Sequence, residues 1–370
     1  MDDEQIASRS TRGNNKKNKK KSHKVRNTIL SILLLLILAV AGLFGYAYMQ
    51  TKGAVDKAYV TPNVKKARDV SGVLKKGKPI SILLLGTDTG ELNRNYKGRT
   101  DSMMVLTINP KTNKTTIMSI PRDTLIAIDG YEDTFPQKIN SAYSYGSAAT
   151  TIKTVQKWLN VPIDYYALVN MGGMEKVVDK IGGVKVTSPL TFNFDPSTAN
   201  ATGSDLYNFT KGSSTYSHNG ETRSKMDGKA ALAFSRMRHS DPEGDYGRQT
   251  RQRLVLQGII EAAKDNPTKL LDSGFLNSVS SSTQTDLAYN DMITIVRKYA
   301  KAAGNISNDN IQGDSYSLSS GSTEVVSSDE KQRATNVLRK SLGLKSAKTG
   351  PLYGGNVSVS EMNSLGVPTE

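Results

Sequence analysis

The chain has 370 residues, enough for one large domain or two small ones with a sizeable hydrophobic core. It contains no cysteine, which excludes disulfide bonds and thiolate metal sites. Its net charge of +15 favours anionic partners, of which anionic lipids, nucleic acids and phosphorylated glycans are the main classes.

The N-terminal part joins a basic segment to an apolar one. Residues 1–26 contain nine Lys or Arg and three Asp or Glu and cannot bury a core, so they are predicted to form a disordered tail. Within residues 27–49, the apolar run Thr28–Tyr48 would span about 32 Å as a helix, roughly one bilayer. Because the positive charge precedes this run and nothing comparable follows, the tail is expected to be cytoplasmic and the rest extracellular.

A cleaved signal peptide is the alternative for this run. It would have a shorter apolar region, and no convincing small-x-small cleavage site precedes Tyr46. We therefore expect a single-pass anchor in the cell membrane, with a basic tail that faces lipid headgroups rather than nucleic acid. Residues 50–79 are then an extracellular connector.

Three short apolar runs follow the connector, each bounded by Gly or Pro, and are predicted to be buried strands: Ile80–Gly86, Met103–Ile108 and Thr115–Ile120. Charged residues stand at their ends: Asp88, Arg99, Asp101, Arg122 and Asp123. Ligands bind at strand ends in open α/β sheets. Carboxylates and arginines without nearby Cys or His suit a divalent metal and a phosphate group. Any one aspartate alone could equally be a turn or capping residue.

The middle of the chain alternates between helical and strand patterns: helix Ala148–Leu159, strand Ile163–Val169, helix Gly172–Ile181 and strand Gly182–Val186. This alternation predicts an α/β layered domain. The next segment, Leu190–Lys225, is rich in Ser, Thr, Asn and Gly and is predicted to be a long surface excursion.

An arginine-rich block follows a short predicted helix, Asp227–Phe234, for which Asp227 is the N-cap. Arg236 and Arg238 alternate and would point the same way in an extended segment. Arg248 and Arg251 would share a face at the start of a helix that continues through Leu254–Ala263. Arginines that converge at a helix N-terminus suit a diphosphate, although such blocks are also solvated faces or nucleic-acid patches.

The remaining chain carries fewer signals. Its predicted elements are a helix over Leu287–Ala302, a strand over Ile311–Leu318 and a helix over Glu330–Leu342. Residues 345–370 are rich in Gly, Ser, Thr and Asn and are predicted to be a disordered tail.

The order of the charged motifs resembles the LytR-CpsA-Psr family of Gram-positive cell-envelope proteins. The motifs are Gly86-Thr-Asp88, Arg99-Thr-Asp-Ser102, Pro121-Arg-Asp123, Arg236-Met-Arg238, Asp245-Tyr-Gly-Arg248 and Arg251-Gln252. The resemblance covers roughly residues 80–263. It implies an α/β/α layered catalytic domain with a central mixed sheet over residues 80–344, preceded by one transmembrane helix. It also implies an apolar cavity for a prenyl chain, which Met103–Ile108 and Ile152–Leu159 would line.

The resemblance further implies a Mg²⁺-dependent phosphotransferase. Such an enzyme takes an anionic glycopolymer, wall teichoic acid or a capsular polysaccharide, from a polyprenyl (undecaprenyl) diphosphate carrier. It attaches the polymer to peptidoglycan through a phosphodiester. The implied partners are thus the lipid-linked polymer, the peptidoglycan acceptor and the cell membrane, without nucleic acid.

The family's site residues carry over onto matching positions of this chain. Asp88 and Asp101 would hold Mg²⁺, and Asp245 would orient the arginines or help to activate the acceptor hydroxyl. The residues implied to bind the substrate are Arg99, Arg122, Arg236, Arg238, Arg248, Arg251 and Gln252. Those implied to be catalytic are Asp88, Asp101, Arg99, Arg122, Arg238 and Asp245.

Two other functions fit the same residues. A hydrolase would use the same metal and arginines but release the polymer to water. A membrane-tethered regulator or glycopolymer-binding protein would need the basic groups but not Asp88 and Asp101 as a pair.

The asymmetry of charge around residues 27–49 predicts the topology. Protease added to intact, wall-stripped cells should degrade the chain beyond Gly53 and spare an epitope at the N-terminus. Protection of the C-terminal part would reverse the predicted orientation.

Overall fold

The computed structural model describes residues 49–53, 55–87, 98–238, 240–265, 269, 272–319 and 321–369. The contacts divide the chain after Gln50, and the unit that follows, Thr51–Glu370, contains all the elements named below. None of the helices in the described ranges is both long and apolar enough to cross a membrane. The predicted anchor and basic tail lie outside those ranges, except for Met49.

The strands of the described chain occur in both halves of the sequence. In order they are β1 (Ile80–Thr87), β2 (Thr100–Asn109), β3 (Lys114–Ser119), β4 (Leu125–Ile126), β5 (Gln137–Lys138), β6 (Tyr165–Asn170), β7 (Phe192–Phe194), β8 (Tyr207–Phe209), β9 (Tyr216–His218), β10 (Glu221–Arg223), β11 (Thr283–Thr285), β12 (Ile306–Asn310), β13 (Asp314–Leu318) and β14 (Gly321–Val325).

The α-helices alternate with these strands. In order they are α1 (Val70–Lys75), α2 (Ala142–Leu159), α3 (Met171–Ile181), α4 (Gly228–Arg236), α5 (Asp245–Asp265), α6 (Ser273–Ser280), α7 (Tyr289–Tyr299), α8 (Ser328–Ser341) and α9 (Val359–Leu365). Short 3₁₀ turns occur at Glu132–Thr134, Ile139–Ser141 and Ala300–Gly304.

The central sheet is mixed, with the strand order β11-β6-β1-β2-β3-β12. Strand β2 pairs antiparallel with β1 and β3, whereas β1–β6 and β3–β12 are parallel pairs. The three strands predicted for the first apolar runs are therefore confirmed, and they form the middle of the sheet. The β1–β2 register is regular from Ile80 opposite Ile108 to Gly86 opposite Ser102 and becomes irregular at Thr87.

Helices cover both faces of this sheet because each strand alternates its apolar side chains between them. On one face, Leu83, Met103 and Val105 pack with residues of α2 and α8. On the other face, Met104 and Leu106 pack with residues of α1, α5 and α7. The run Met103–Ile108 is thus divided between two clusters, with Met103 and Val105 on one face and Met104 and Leu106 on the other. That it lines a prenyl cavity stays a prediction. Ile152–Leu159 belongs to the first cluster, where Trp158 is fully buried.

The segment Leu190–Lys225 differs from the predicted surface excursion, because it forms a four-stranded antiparallel sheet in the order β10-β9-β8-β7. Its strands are only three residues long, too short for a periodic pattern to stand out in the sequence. Aromatic side chains hold them together, as Phe192 stacks on Phe209 with ring centroids 4.8 Å apart. Phe192, Phe209 and Phe234 of α4 then share one buried cluster.

Two other predicted strands differ from the structure. In the segment predicted to be Gly182–Val186, only Val184 forms a bridge, to Met226, because Gly182 and Gly183 adopt positive φ angles as α3 ends. One edge of the central sheet is β12, a polar segment that was not predicted to be a strand and that precedes the predicted strand Ile311–Leu318. The latter contributes only its second half, as β13 of a separate hairpin.

The helix predictions hold, although their bounds shift. The helix predicted from Ala148 begins at Ala142 and is broken at Gly146 and Ser147. Helix α5 begins at Asp245 and includes Arg248 and Arg251 as well as the predicted run Leu254–Ala263. Asp227 is the N-cap of α4, as predicted, and its side chain accepts from the Ala230 amide at 2.8 Å.

The connector and the C-terminal segment both pack onto this unit. Arg68 of the connector pairs with the fully buried Asp164, its Nε lying 2.7 Å from Oδ1. In the C-terminal segment, which was predicted to be disordered, Tyr353 is buried and its backbone carbonyl accepts from the Ala127 amide at 2.7 Å. A few buried apolar side chains, such as Tyr353 and Met362, hold this segment in a defined conformation. The prediction of disorder rested on average composition, to which so few apolar residues contribute little.

The burial of Lys331 in α8 leads us to predict that the free energy of unfolding depends on pH. It is fully buried, and its Nζ donates to the carbonyls of Gly350 and Pro351 at 2.8 and 2.6 Å. Burial lowers its pKa from 10.5 to about 7. Between these values the unfolded chain binds more protons than the folded one, so stability should rise with pH.

We expect Lys331→Met to flatten that rise, measured as the urea midpoint at several pH values from 7 to 9. Lys340→Met, which changes an exposed lysine of the same helix, should keep the wild-type slope. Parallel slopes for wild type and Lys331→Met would show that Lys331 keeps an ordinary pKa.

Candidate functional site

The site lies where β2 begins and β3 ends. The two strands are antiparallel, with Met104 opposite Ser119, so Asp101 and Arg122 come to the same end of the sheet. The first turn of α5, which carries Asp245 and Arg248, packs at that end as well, since the Arg248 guanidinium donates to the Asp101 carbonyl at 3.2 Å. Three segments distant in sequence thus meet in one place.

Four of the predicted residues form an arginine–aspartate cluster there: Asp101, Arg122, Asp245 and Arg248. Arg122 donates to Asp101 Oδ1 at 2.7 Å, and its Nε lies 3.6 Å from Asp245 Oδ1. Arg248 lies 2.6 Å from the same Asp245 oxygen. Asp245 therefore stands between two guanidinium groups and offsets their mutual repulsion.

The electrostatics of the two arginines differ. Burial by itself lowers the pKa of Arg122, but the carboxylates of Asp101, Asp123 and Asp245 raise it above its ordinary value. For Arg248, burial dominates and lowers the pKa, although Asp245 opposes the shift. Both groups stay charged at neutral pH. Arg248 is thus a buried cation whose charge is incompletely compensated.

Each of the two guanidinium groups also has an N–H donor that is not hydrogen-bonded within the described part of the chain. The buried Nε atoms of Arg122 and Arg248 have no hydrogen-bond partner among the residues that the structure describes. Unmade hydrogen bonds of buried charged donors are costly. An anion that reached the cluster would satisfy them and would compensate the Arg248 charge.

Several residues of this region were not predicted as site residues. Lys138 lies 2.9 Å from Asp123, which in turn lies 3.4 Å from the Arg122 Nε. Tyr246 pairs with Glu324, whose pKa is raised by burial and by the neighbouring carboxylates Asp245 and Asp123. The sequence signal for Asp123 was its position among the charged residues that follow β3. Nothing in the sequence near Glu324 indicated its position.

Arg251 was predicted to bind the substrate, but its guanidinium is fully buried and already engaged. It pairs with Asp241, donates to the Phe234 carbonyl at 3.0 Å and also bonds the Met237 carbonyl. These partners lie on either side of Arg236 and Arg238. The contacts make Arg251 a residue that positions this segment, and its guanidinium is closed to a ligand.

Arg236 and Arg238 do not form the predicted extended pair. Arg236 is the last residue of α4 and reaches towards the Pro196 carbonyl at 3.5 Å, whereas Arg238 lies exposed beyond the helix. Arg238 is nevertheless close enough for its charge to lower the pKa of Arg248. Arg99 is exposed immediately before β2. Gln252, one turn after Arg248, keeps a buried Oε1 without a partner in the described chain.

The predicted magnesium ligands are only partly described, because Asp88 lies outside the described residues. Within the described ranges there is no group of three or more Asp, Glu or His side chains that could hold a metal. Asp101 has one carboxylate oxygen on Arg122. Mg²⁺ is usually bound by one or two carboxylates together with phosphate oxygens, so Asp101 has the donor chemistry of such a ligand.

The family model described as the LytR_cpsA_psr family matches residues 43–340. The chain belongs to this family. The match confirms the resemblance and extends it beyond residues 80–263, to include β12, the β13–β14 hairpin and α8. The region that carries Glu324 is therefore part of the LytR_cpsA_psr domain.

Relatives and solved structures agree with this assignment. The polyisoprenyl-teichoic acid–peptidoglycan teichoic acid transferase TagU of Enterococcus faecalis is 35% identical over 307 residues, which are 83% of this chain and 93% of the relative. A crystal structure of a Streptococcus agalactiae protein matches with a TM-score of 0.65 and 31% identity, over 83% of this chain and all of that one. The structure of Bacillus subtilis TagU matches with a TM-score of 0.53 and 32% identity, over 72% and 98% of the two chains. The mixed α/β domain with its central mixed sheet is thus the fold of the LytR_cpsA_psr family.

The position of Asp245 predicts the effect of neutralising it. Asp245→Asn would leave Arg122 and Arg248 together without the shared carboxylate, so we expect a loss of about 3 kcal/mol in the free energy of unfolding. Chemical denaturation would measure it. The control is Asp56→Asn, which breaks the exposed pair with Lys52 and should cost less than about 0.5 kcal/mol. Equal midpoints for the two variants would show that the arginines do not depend on Asp245.

Proposed function

We propose that this LytR_cpsA_psr protein transfers an anionic glycopolymer from a polyprenyl diphosphate carrier to peptidoglycan. The observation that supports this most directly is the pair of buried Nε donors on Arg122 and Arg248. Two planar guanidinium groups side by side suit the bridging and non-bridging oxygens of a diphosphate. The name of the Enterococcus faecalis relative describes the same reaction class for teichoic acid.

The reaction joins the acceptor to the phosphorus that carries the polymer. A hydroxyl oxygen of the acceptor glycan attacks this phosphorus and forms a new P–O bond, while its proton passes to solvent. The bond between this phosphorus and the bridging oxygen breaks, and polyprenyl monophosphate leaves with both electrons. Such transfers depend mainly on charge neutralisation and in-line positioning.

The arginine–aspartate cluster would supply that neutralisation. Arg122 and Arg248 would bind the diphosphate, with the exposed Arg99 and Arg238 at the margin of the same region. Asp245 contacts both cluster arginines and accepts from Gln249 at 3.1 Å. These contacts favour the orienting role for Asp245 over that of a base for the acceptor hydroxyl.

Mg²⁺ would be held by Asp101 and Asp88 together with diphosphate oxygens. When bound, the ion would stabilise the negative charge that develops on the leaving phosphate. Asp101 would serve both as a ligand and as the partner of Arg122, whose guanidinium lies 2.7 Å away.

The substrate also accounts for the predicted membrane anchor. A polyprenyl carrier, undecaprenyl diphosphate in the proposed form, stays in the bilayer, so a domain tethered by residues 27–49 would meet it at the outer surface. The proposal thus places the protein in the cell membrane with its catalytic domain outside.

The test separates chemistry from binding. Asp101→Asn should reduce transfer of labelled lipid-linked polymer to peptidoglycan by about 10² to 10³, because it removes an electrostatic contact that matters most in the transition state. Retention of the lipid by the protein should change far less. Arg122→Lys should weaken retention, since an ammonium group cannot reproduce the planar fork.

The control is Asp309→Asn, which breaks a carboxylate–arginine pair with Arg333 outside the site; the Asp309 carboxylate is about as exposed as that of Asp101. It should leave both readouts unchanged. Wild-type transfer by Asp101→Asn, or transfer that survives chelation of divalent metal, would contradict the metal role. Release of free polymer at the same rate with and without peptidoglycan would identify a hydrolase instead.

A further inference from the structure

Two buried carboxamides adjoin the arginine–aspartate cluster. Asn140 is 3% exposed; its backbone N–H donates to the Arg122 backbone carbonyl at 3.2 Å, and its backbone carbonyl accepts from Thr100 Oγ1 at 3.4 Å. Gln249 is 4% exposed and lies one turn into α5, where its Nε2 donates to Asp245. The backbone of Asn140 and the side chain of Gln249 thus contact the segments that hold the arginines.

Each carboxamide leaves its oxygen unused. Asn140 Oδ1 and Gln249 Oε1 are buried and have no hydrogen-bond partner in the described part of the chain. The orientation of Gln249 is determined by its neighbour, since the carboxylate of Asp245 accepts and only the Nε2 end of the amide donates. The free atom of Gln249 is therefore an acceptor. Unsatisfied buried acceptors of this kind are rare in folded proteins and call for a partner.

A diphosphate cannot supply that partner. Ionised phosphate oxygens accept hydrogen bonds, as the two carboxamide oxygens do, so they cannot donate to them. What fits is a ligand with donor groups, and a sugar hydroxyl is such a group. The residues at the cluster thus carry two kinds of atom that are unpaired in the described chain: guanidinium donors suited to an anion and carboxamide acceptors suited to a hydroxyl.

We infer that Asn140 and Gln249 form a subsite that accepts hydrogen bonds from hydroxyl groups of the acceptor glycan, beside the diphosphate site. This rests on the proposed function, because it assigns the second substrate of that reaction. The subsite would hold the glycan next to the phosphorus that it attacks. Asn140 and Gln249 are positioning residues in this scheme, not bases.

The experiment measures the binding of each substrate separately, with the full chain in detergent. Titration calorimetry would follow uncrosslinked peptidoglycan glycan strands and, in parallel, a polyprenyl diphosphate. Asn140→Leu keeps the number and branching of the side-chain heavy atoms and removes the polar ones, so we expect glycan binding about tenfold weaker and lipid binding within about twofold of wild type. Asn140→Asp keeps an acceptor oxygen and should retain most of the glycan affinity.

Asn109→Leu is the matched control. Asn109 is also buried, but its carboxamide is satisfied: Nδ2 donates to the Ser341 carbonyl at 2.8 Å, and Oδ1 accepts from the amides of Lys111 and Thr112. Its loss should lower stability and leave glycan affinity unchanged. Equal glycan affinities for wild type, Asn140→Leu and Asn109→Leu would overturn the subsite.

A second measurement needs no variant and decides the question even where Asn140→Leu does not fold. Glycans that lack one hydroxyl at a time should include at least one that binds wild type about tenfold more weakly. If none does, the subsite is overturned. It is also overturned if Asn140→Leu raises the Mg²⁺ concentration needed for transfer and spares glycan affinity, since a metal-bound water would then be the donor.

The results also distinguish this inference from the proposed function. If glycan binding depends on Asn140 but the protein transfers no polymer, the proposed transferase function is wrong and the subsite is supported. If the protein transfers polymer but glycan binding does not depend on Asn140, the transferase function is supported and the subsite is wrong.

Discussion

The site depends on one carboxylate, Asp245, held between two arginines. Arg122 and Arg248 are both largely removed from water, and like charges so close together repel strongly at low dielectric. Asp245 makes their proximity tolerable without satisfying either guanidinium completely. The result is a cation pair arranged before any ligand arrives, so a diphosphate would meet donors that need little rearrangement.

The support for this pair comes from residues that never need to touch the substrate. Arg251, a buried residue of α5, ties the segment around Arg238 to this helix, which also carries Arg248. A lysine could not replace it, because three partners require the planar guanidinium. Arg251 differs from Arg248 in that internal partners occupy its guanidinium, whereas the Arg248 Nε has none in the described chain.

The sequence predicted the centre of the fold well and its periphery poorly. Strands β1 to β3 are long, apolar and bounded by Gly and Pro, so their identity followed from local pattern. That Asp101 and Arg122 belong to one site was implied by the family resemblance. The second sheet, β12 and the C-terminal contacts of Tyr353 depend on partners far away in the chain, and no local period records them. Asn140 and Glu324 were missed for the same reason: only the tertiary structure places them beside the charges. Asp88 lies outside the described residues, and its role is still a prediction.

The strand order also constrains how the molecule folds. Both edges of the central sheet come from late in the chain: β11 pairs with β6 more than a hundred residues earlier, and β12 pairs with β3 at an even greater separation. Closing such long loops costs entropy before the contacts repay it, and domains rich in non-local pairs fold slowly. A chain interrupted before residue 306 would leave β3 as an open edge, free to pair with another molecule. The domain is therefore most exposed to aggregation just before the last strand of its central sheet, β12, is added.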